Sequence, residues 1–195
     1  AGPAAPVARS AFGGKRRGLL LHRLLQSLPD VPPEERNAAA LRYLAQAAGD
    51  LTPSARDALA EEACRVIAHP GCAVLFGQAS RAEPELIARL DTAEGTIEIA
   101  ARADRLAVLD GAVTIGDFKS DARVPDALAD VPAGYIEQLA AYRAALLEAF
   151  PGRPVRALLI YTAAPRVLEI PAESLDSAWR RVKTQTSPAI DESVS

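Results

Sequence analysis

Asp110-Gly111 sits between two short alternating apolar runs, Leu106-Ala-Val-Leu109 and Ala112-Val-Thr-Ile115. Asp-Gly in that setting is the strongest short-range signal for a β-hairpin. A two-residue loop also fixes the pairing: Leu109 faces Ala112, and the numbers of every opposed pair total 221. Asp104 and Asp117 share that total, so they should stand opposite each other, with Cβ atoms roughly 4.5–5.5 Å apart. Side chains on one sheet face recur every second residue, which places Lys119 beside Asp117, above Leu106, Ile115, Val108 and Val113. Two carboxylates and a lysine should therefore crown one end of an apolar face.

Directly opposed like charges destabilise a hairpin. Three arrangements would relieve them: protonation of one acid, an arginine (Arg102 or Arg105) between them, or a shared divalent cation. A solvated hairpin end with a nearby arginine is the plain alternative. Lys119 favours the cation. It is one of three lysines against nineteen arginines. Arginine is a rigid, permanently charged fork, whereas lysine is a compact point charge whose proton can be tuned. An acid-x-Lys pair at a strand end, with another acid upstream, suits metal-dependent phosphodiester hydrolysis.

Composition bounds the rest. At 195 residues and 49% hydrophobic, the chain suits one domain with a substantial core. It contains no methionine, as expected of a processed chain or a piece of something larger. A net charge of -3 carries no global nucleic-acid signature. DNA binding would need a local basic patch, to which Lys15, Arg16, Arg17 and Arg23 would contribute unless they form an ordinary solvated run. Cys64 and Cys72 are too few for an iron–sulfur cluster and lack CxxC spacing. They read as small apolar residues of a reducing, cytoplasmic setting. No apolar run approaches membrane-spanning length and no signal peptide is visible.

The periodicities predict helices over Gly18–Leu28, Pro33 to about Ala48, Thr52-Pro53 to about Ala68, Tyr135–Phe150 and Ser174 to about Val182. Leu20, Leu21, Leu24, Leu25 and Leu28 should face inward. Strands are expected at Leu86–Leu90, Thr96–Leu109 (long enough to bend), Ala112–Lys119, Val155–Thr162 and Val167–Ile170, with a polar loop over Asp121–Gly134. Helices, a central hairpin, a crossover helix and a further strand make an α/β fold with a mixed sheet flanked by helices. Residues 1–15 read as a flexible lead-in, 16–182 as the domain and 183–195 as a loose tail.

Three more residues and one loop acid stand out. His22 lies in a leucine-rich helix, where a packed histidine and a neutral imidazole metal ligand are both open readings. Gln138 and Tyr142, four apart, share a helix face. Glu83, before Pro84, is alone an ordinary loop acid.

Leu-Leu-Leu-His22, then Ala101-Arg102-Ala103-Asp104-Arg105-Leu106, then Gly116-Asp117-Phe118-Lys119-Ser120, then Gln138-Leu-Ala-Ala-Tyr142 follow one another in a known order. Together they resemble the RecB-type branch of the PD-(D/E)XK nucleases, and most closely the C-terminal nuclease domains of AddA-type subunits of AddAB helicase–nucleases. The resemblance covers residues 16–182. One departure is Ala101, where the family often has glycine.

The resemblance implies a restriction-endonuclease-like core in which His22, Asp104, Asp117 and the Phe118 carbonyl hold Mg2+, with Mn2+ or Ca2+ as substitutes. Asp104, Asp117 and Lys119 would be catalytic, Lys119 orienting the attacking water. Gln138 and Tyr142 would position DNA or the metal shell, and Glu83 matches the family's upstream acid in a supporting role. It implies a bacterial, cytoplasmic DNA exonuclease for double-strand-break repair, receiving a single strand from a helicase, with AddB and the remaining helicase chain as partners. No iron–sulfur cluster is implied, and no phosphate-binding Gly-rich loop is present for a nucleotide. A non-catalytic domain binding DNA ends or a partner, and a free-standing restriction-type endonuclease, are the alternatives.

Overall fold

The computed structural model describes residues 11–92, 95–121 and 123–186. A five-stranded mixed sheet lies between two helical layers. Its order is β1 (Ser80–Ala82), β4 (Arg105–Val108), β5 (Val113–Lys119), β6 (Val155–Tyr161), β7 (Arg166–Ile170), and β5 and β6 are parallel while the other neighbours are antiparallel. A second, two-stranded sheet pairs β2 (Glu85–Thr92) with β3 (Gly95–Arg102). Helices α1 (Ala11–Ser27), α2 (Arg36–Ala47) and α3 (Pro53–Ala68) pack with Phe118, Leu158 and Ile160 on one sheet face. Helices α4 (Ala133–Ala149) and α5 (Ala172–Thr186) cover the other, over Val113, Ile115, Leu159 and Tyr161. This is the expected α/β architecture, with α4 as the crossover that a parallel β5–β6 pair requires.

The hairpin register holds. Arg105–Gly116, Leu106–Ile115, Ala107–Thr114 and Val108–Val113 are the observed pairs, each totalling 221, and the Leu109 amide donates to the Ala112 carbonyl. The single strand expected over Thr96–Leu109 is instead two, β3 and β4, in different sheets. The reason lies in a second hairpin. The β1–β4 and β2–β3 pairs share one register, each total being 187. They are two halves of one long antiparallel ladder, broken where Glu83-Pro84 faces Ala103-Asp104. Pro84 lacks an amide to donate, and Glu83 adopts φ 52°, a left-handed conformation that costs a non-glycine residue about 1–3 kcal/mol. Two backbone bonds pin the break: Glu83 N–H to the Asp104 carbonyl, and Ala103 N–H to the Pro84 carbonyl.

Boundaries differ at several ends. Helix α1 starts at Ala11, so the last residues of the expected lead-in are helical, and α5 runs to Thr186, into the expected tail. Residues 1–10 and 187–195 lie outside the described residues. Pro33–Glu35 is a 3-10 turn ahead of α2. Thr52 caps α3 as expected, its hydroxyl accepting from the Ala55 amide. Leu20, Leu21, Leu24, Leu25 and Leu28 are all buried, as expected.

A further 3-10 segment, Pro70–Phe76, lies directly on β5. A Cβ at Gly116 would stand 2.3 Å from Leu75 Cδ1, so any larger residue would force Leu75 to shift. Arg105 closes the layer: its guanidinium donates to the carbonyls of Leu25, Gln26 and Leu75 and to Ser80 Oγ, and lies over the Phe76 ring. Cys72 is buried and Cys64 partly so; both are free thiols, and burial pushes Cys72 up to about 11. Among the described residues no helix is long and apolar enough to cross a membrane.

Candidate active site

The site forms where four elements meet at one end of the sheet: α1, the bend at Asp104, the end of β5, and α4. Asp104 stands one residue before β4, at the break in the long ladder. Its Oδ2 accepts from the Phe118 amide at 2.6 Å, so a side chain continues the hairpin beyond its last backbone pair. Its Oδ1 lies 3.1 Å from His22 Nδ1. His22 reaches there from α1 with its ring edge-on to Phe118, 6.1 Å between centroids. The Asp104 hydrogen bond raises the imidazole above its ordinary value against the opposing effect of burial, and Asp117 and a hydrogen bond with the Phe118 backbone add to the rise.

Asp117 and Lys119 project from β5 towards α4. Lys119 Nζ stands 2.7 Å from Asp117 Oδ2, with both side chains largely buried. Among the described residues Asp117 Oδ2 has no hydrogen-bond partner beyond this ion-pair contact. Burial raises the Asp117 carboxyl, the nearby Asp104 adds to this, and Lys119 and His22 oppose it.

Of the three ways of relieving the opposed acids, arginine is corrected by the structure. Arg105 turns to the other face, and Arg102 pairs with Glu83 and Glu85. Lys119 and His22 take that place, one on each acid. The expected basic patch is also partly spent: Arg16 pairs with Asp50, and Arg17 with the buried Glu62.

Helix α4 supplies a directed chain of bonds. Lys119 Nζ donates to Gln138 Oε1 at 3.0 Å, Gln138 Nε2 donates to the Tyr142 hydroxyl at 2.6 Å, and that hydroxyl donates to the Arg102 carbonyl at 3.2 Å. An ammonium has only donors, so it compels the amide oxygen to face it and the amide NH2 to face Tyr142. The chain ties Lys119 to the backbone just before Asp104. Burial pushes the Tyr142 phenol up, keeping it a donor.

All eight residues singled out in the sequence, the Phe118 carbonyl's residue included, lie at or beside this end of the sheet. Glu83 lines a small cleft with His22, Leu25, Gln26, Asp104 and Phe118, which leaves about 10 Å3 of free room, on the scale of one water or one ion. Sequence reasoning missed Tyr135 and Asp121. Lys119 Nζ lies 4.0 Å from the centre of the Tyr135 ring, whose hydroxyl donates to Asp121 Oδ2 at 2.8 Å. The signal was present: Tyr135, Gln138 and Tyr142 follow i, i+3, i+7 spacing, one stripe of a helix.

Among the described residues no three His, Cys, Asp or Glu side chains are gathered closely enough to hold a cation as they stand. The donor chemistry nevertheless fits a hard cation. Asp117 Oδ2 is buried and has no hydrogen-bond partner beyond the Lys119 ion pair.

No curated protein matches the sequence significantly. The crystal structure of SSO0001 aligns over 91% of this chain and 90% of that one, at 22% identity and a TM-score of 0.37, too loose for any argument to rest on it. A family model gives the decisive comparison, running over residues 5–192 and so over nearly all of the chain: the chain belongs to the PD-(D/E)XK nuclease superfamily.

Proposed function

We propose that the chain is a Mg2+-dependent DNA nuclease domain, an exonuclease of the AddA type that acts within a helicase–nuclease on double-strand breaks, with AddB as partner. The observation that carries this reading is the convergence of Asp104, Asp117 and Lys119 at one strand end, with His22 on the first acid and Gln138 on the lysine.

His22, Asp104, Asp117 and the Phe118 carbonyl would hold the cation, with Glu83 as a nearby supporting acid. When bound, it would polarise the scissile phosphate and acidify a water. Lys119 orients that water and offsets the negative charge that develops on the phosphate. Gln138 and Tyr142 hold Lys119 in place through their hydrogen bonds. Asp104 braces the Phe118 backbone, and so the end of β5, against the bend.

Labelled single-stranded and duplex DNA, with Mg2+ or EDTA, tests the reading. Cleavage should require Mg2+ and vanish in Asp104→Ala and Asp117→Ala. Lys119→Arg should also lose nearly all cleavage while keeping cation and DNA binding, because the planar fork cannot occupy the small space between Asp117, Gln138 and the Tyr135 ring. Near-normal cleavage by the arginine variant would leave Lys119 only a charge-balancing role. Cleavage unaffected by EDTA would sink the metal mechanism.

A further inference from the structure

We infer that Tyr135 is a positioning residue for Lys119: its ring face and the Gln138 amide together clamp the ammonium against Asp117, and Asp121 locks the ring. The inference rests on the nuclease reading for its consequence in rate, but not for its geometry.

Asp117 Oδ2 at 2.7 Å and Gln138 Oε1 at 3.0 Å fix two directions around Nζ. These two contacts leave one side of the ammonium open, where the side chain can still shift. The Tyr135 face, 4.0 Å away, closes that motion, and its electron-rich surface attracts the cation. The ring is itself held at both ends. Its backbone belongs to the first turn of α4, where the Tyr135 amide donates to the Pro132 carbonyl. Its hydroxyl donates to Asp121, two residues beyond Lys119. Burial pushes the phenol up to about 12, so it stays a donor at any working pH. Tyr161, paired with Lys119 in the β5–β6 register, backs this corner from the core. Lys119, Asp121, Tyr135 and Gln138 thus form a closed loop between the end of β5 and one stripe of α4.

Tyr135→Phe keeps the ring face, whereas Tyr135→Leu keeps apolar bulk without it. The pair separates clamping from simple packing. The chain has three lysines, Lys15, Lys119 and Lys183. Lysine-selective 13C labelling therefore gives three ε-methylene signals, and Lys119→Arg identifies the one from the site. That signal should be shifted upfield by the ring in the parent and in Tyr135→Phe, and should return to the ordinary lysine position in Tyr135→Leu. In Mg2+-dependent cleavage of linear DNA, the leucine variant should lose on the order of 100-fold in kcat, the scale of a small misplacement in a site. Its KM and its melting response to Mg2+ should stay close to the parent's, and the phenylalanine variant should restore most of the rate. A leucine variant that cleaves like the parent, or a Lys119 signal that does not move, overturns the clamp. A parent chain that does not cleave would overturn the nuclease reading instead, and the lysine signal would still decide the clamp.

Discussion

His22 and Asp104 make a pair whose worth depends on pH. The folded imidazole is raised above its ordinary 6.5, chiefly by the Asp104 hydrogen bond. The folded state therefore holds its proton more tightly than the unfolded chain. The stability this contributes is fully present below about pH 6.5 and is lost as the pH rises through the folded value. Cation binding runs the other way, because a ligating imidazole must be neutral. The cation-free melting temperature should fall as the pH climbs past 6.5, while the increment given by Mg2+ grows over the same window. His22→Gln should flatten the first trend and weaken the second. A cation-free melting temperature that ignores pH there would mean that the pair does not form in solution. Lys119 was legible at this scale because one of only three lysines among nineteen arginines is conspicuous. Tyr135 was not, because an aromatic residue on an apolar helix reads first as core.

Strand β5 carries both Asp117 and Lys119, and its seating depends on Gly116. A methyl there would meet Leu75, whose fully buried side chain would have to repack. Overpacking of this kind costs about 1–3 kcal/mol. Gly116→Ala should therefore lower the melting temperature by about 2–12 °C, taking about 2–4 °C per kcal/mol for a domain of this size. Cleavage should fall further than stability alone requires, since any shift of β5 moves the acid and the lysine together. An alanine variant with parental stability would show that the Pro70–Phe76 segment yields freely. The 221 register was legible because Asp110-Gly111 is a turn signal that sets pairing by itself. The ladder behind it was hidden. Its register is continuous, but Glu83-Pro84 punctuates one strand and Asp104 the other, so local pattern reads separate pieces. That break is where Asp104 leaves the ladder and becomes free to meet His22. The three-residue β1 was too short to leave a periodicity of its own.

At the scale of the molecule, the site joins both helical layers: His22 comes from α1 on one face of the sheet, and Gln138 from α4 on the other. A cation bound between them would tie the layers together and stabilise the folded state by linkage, by about 2.7 kcal/mol at a hundredfold excess over its dissociation constant. That corresponds to a rise of about 5–11 °C in melting temperature. Asp117 sets what the cation-free fold costs. Its carboxyl is raised by burial, with Asp104 adding, and Lys119 does not fully compensate. The charge is therefore a net burden, present in full above the folded value and relieved as the pH falls towards the ordinary 3.8. Asp117→Asn should raise the cation-free melting temperature at neutral pH, since a neutral amide escapes both burial and Asp104. It should also abolish the response to Mg2+ or Ca2+, because a ligand oxygen is lost with its charge. Thermal melts of the two chains, each with EDTA and with either cation, decide the matter. A cation-dependent rise that survives unchanged in Asp117→Asn would remove Asp117 from the ligand set, whatever the variant does to cleavage.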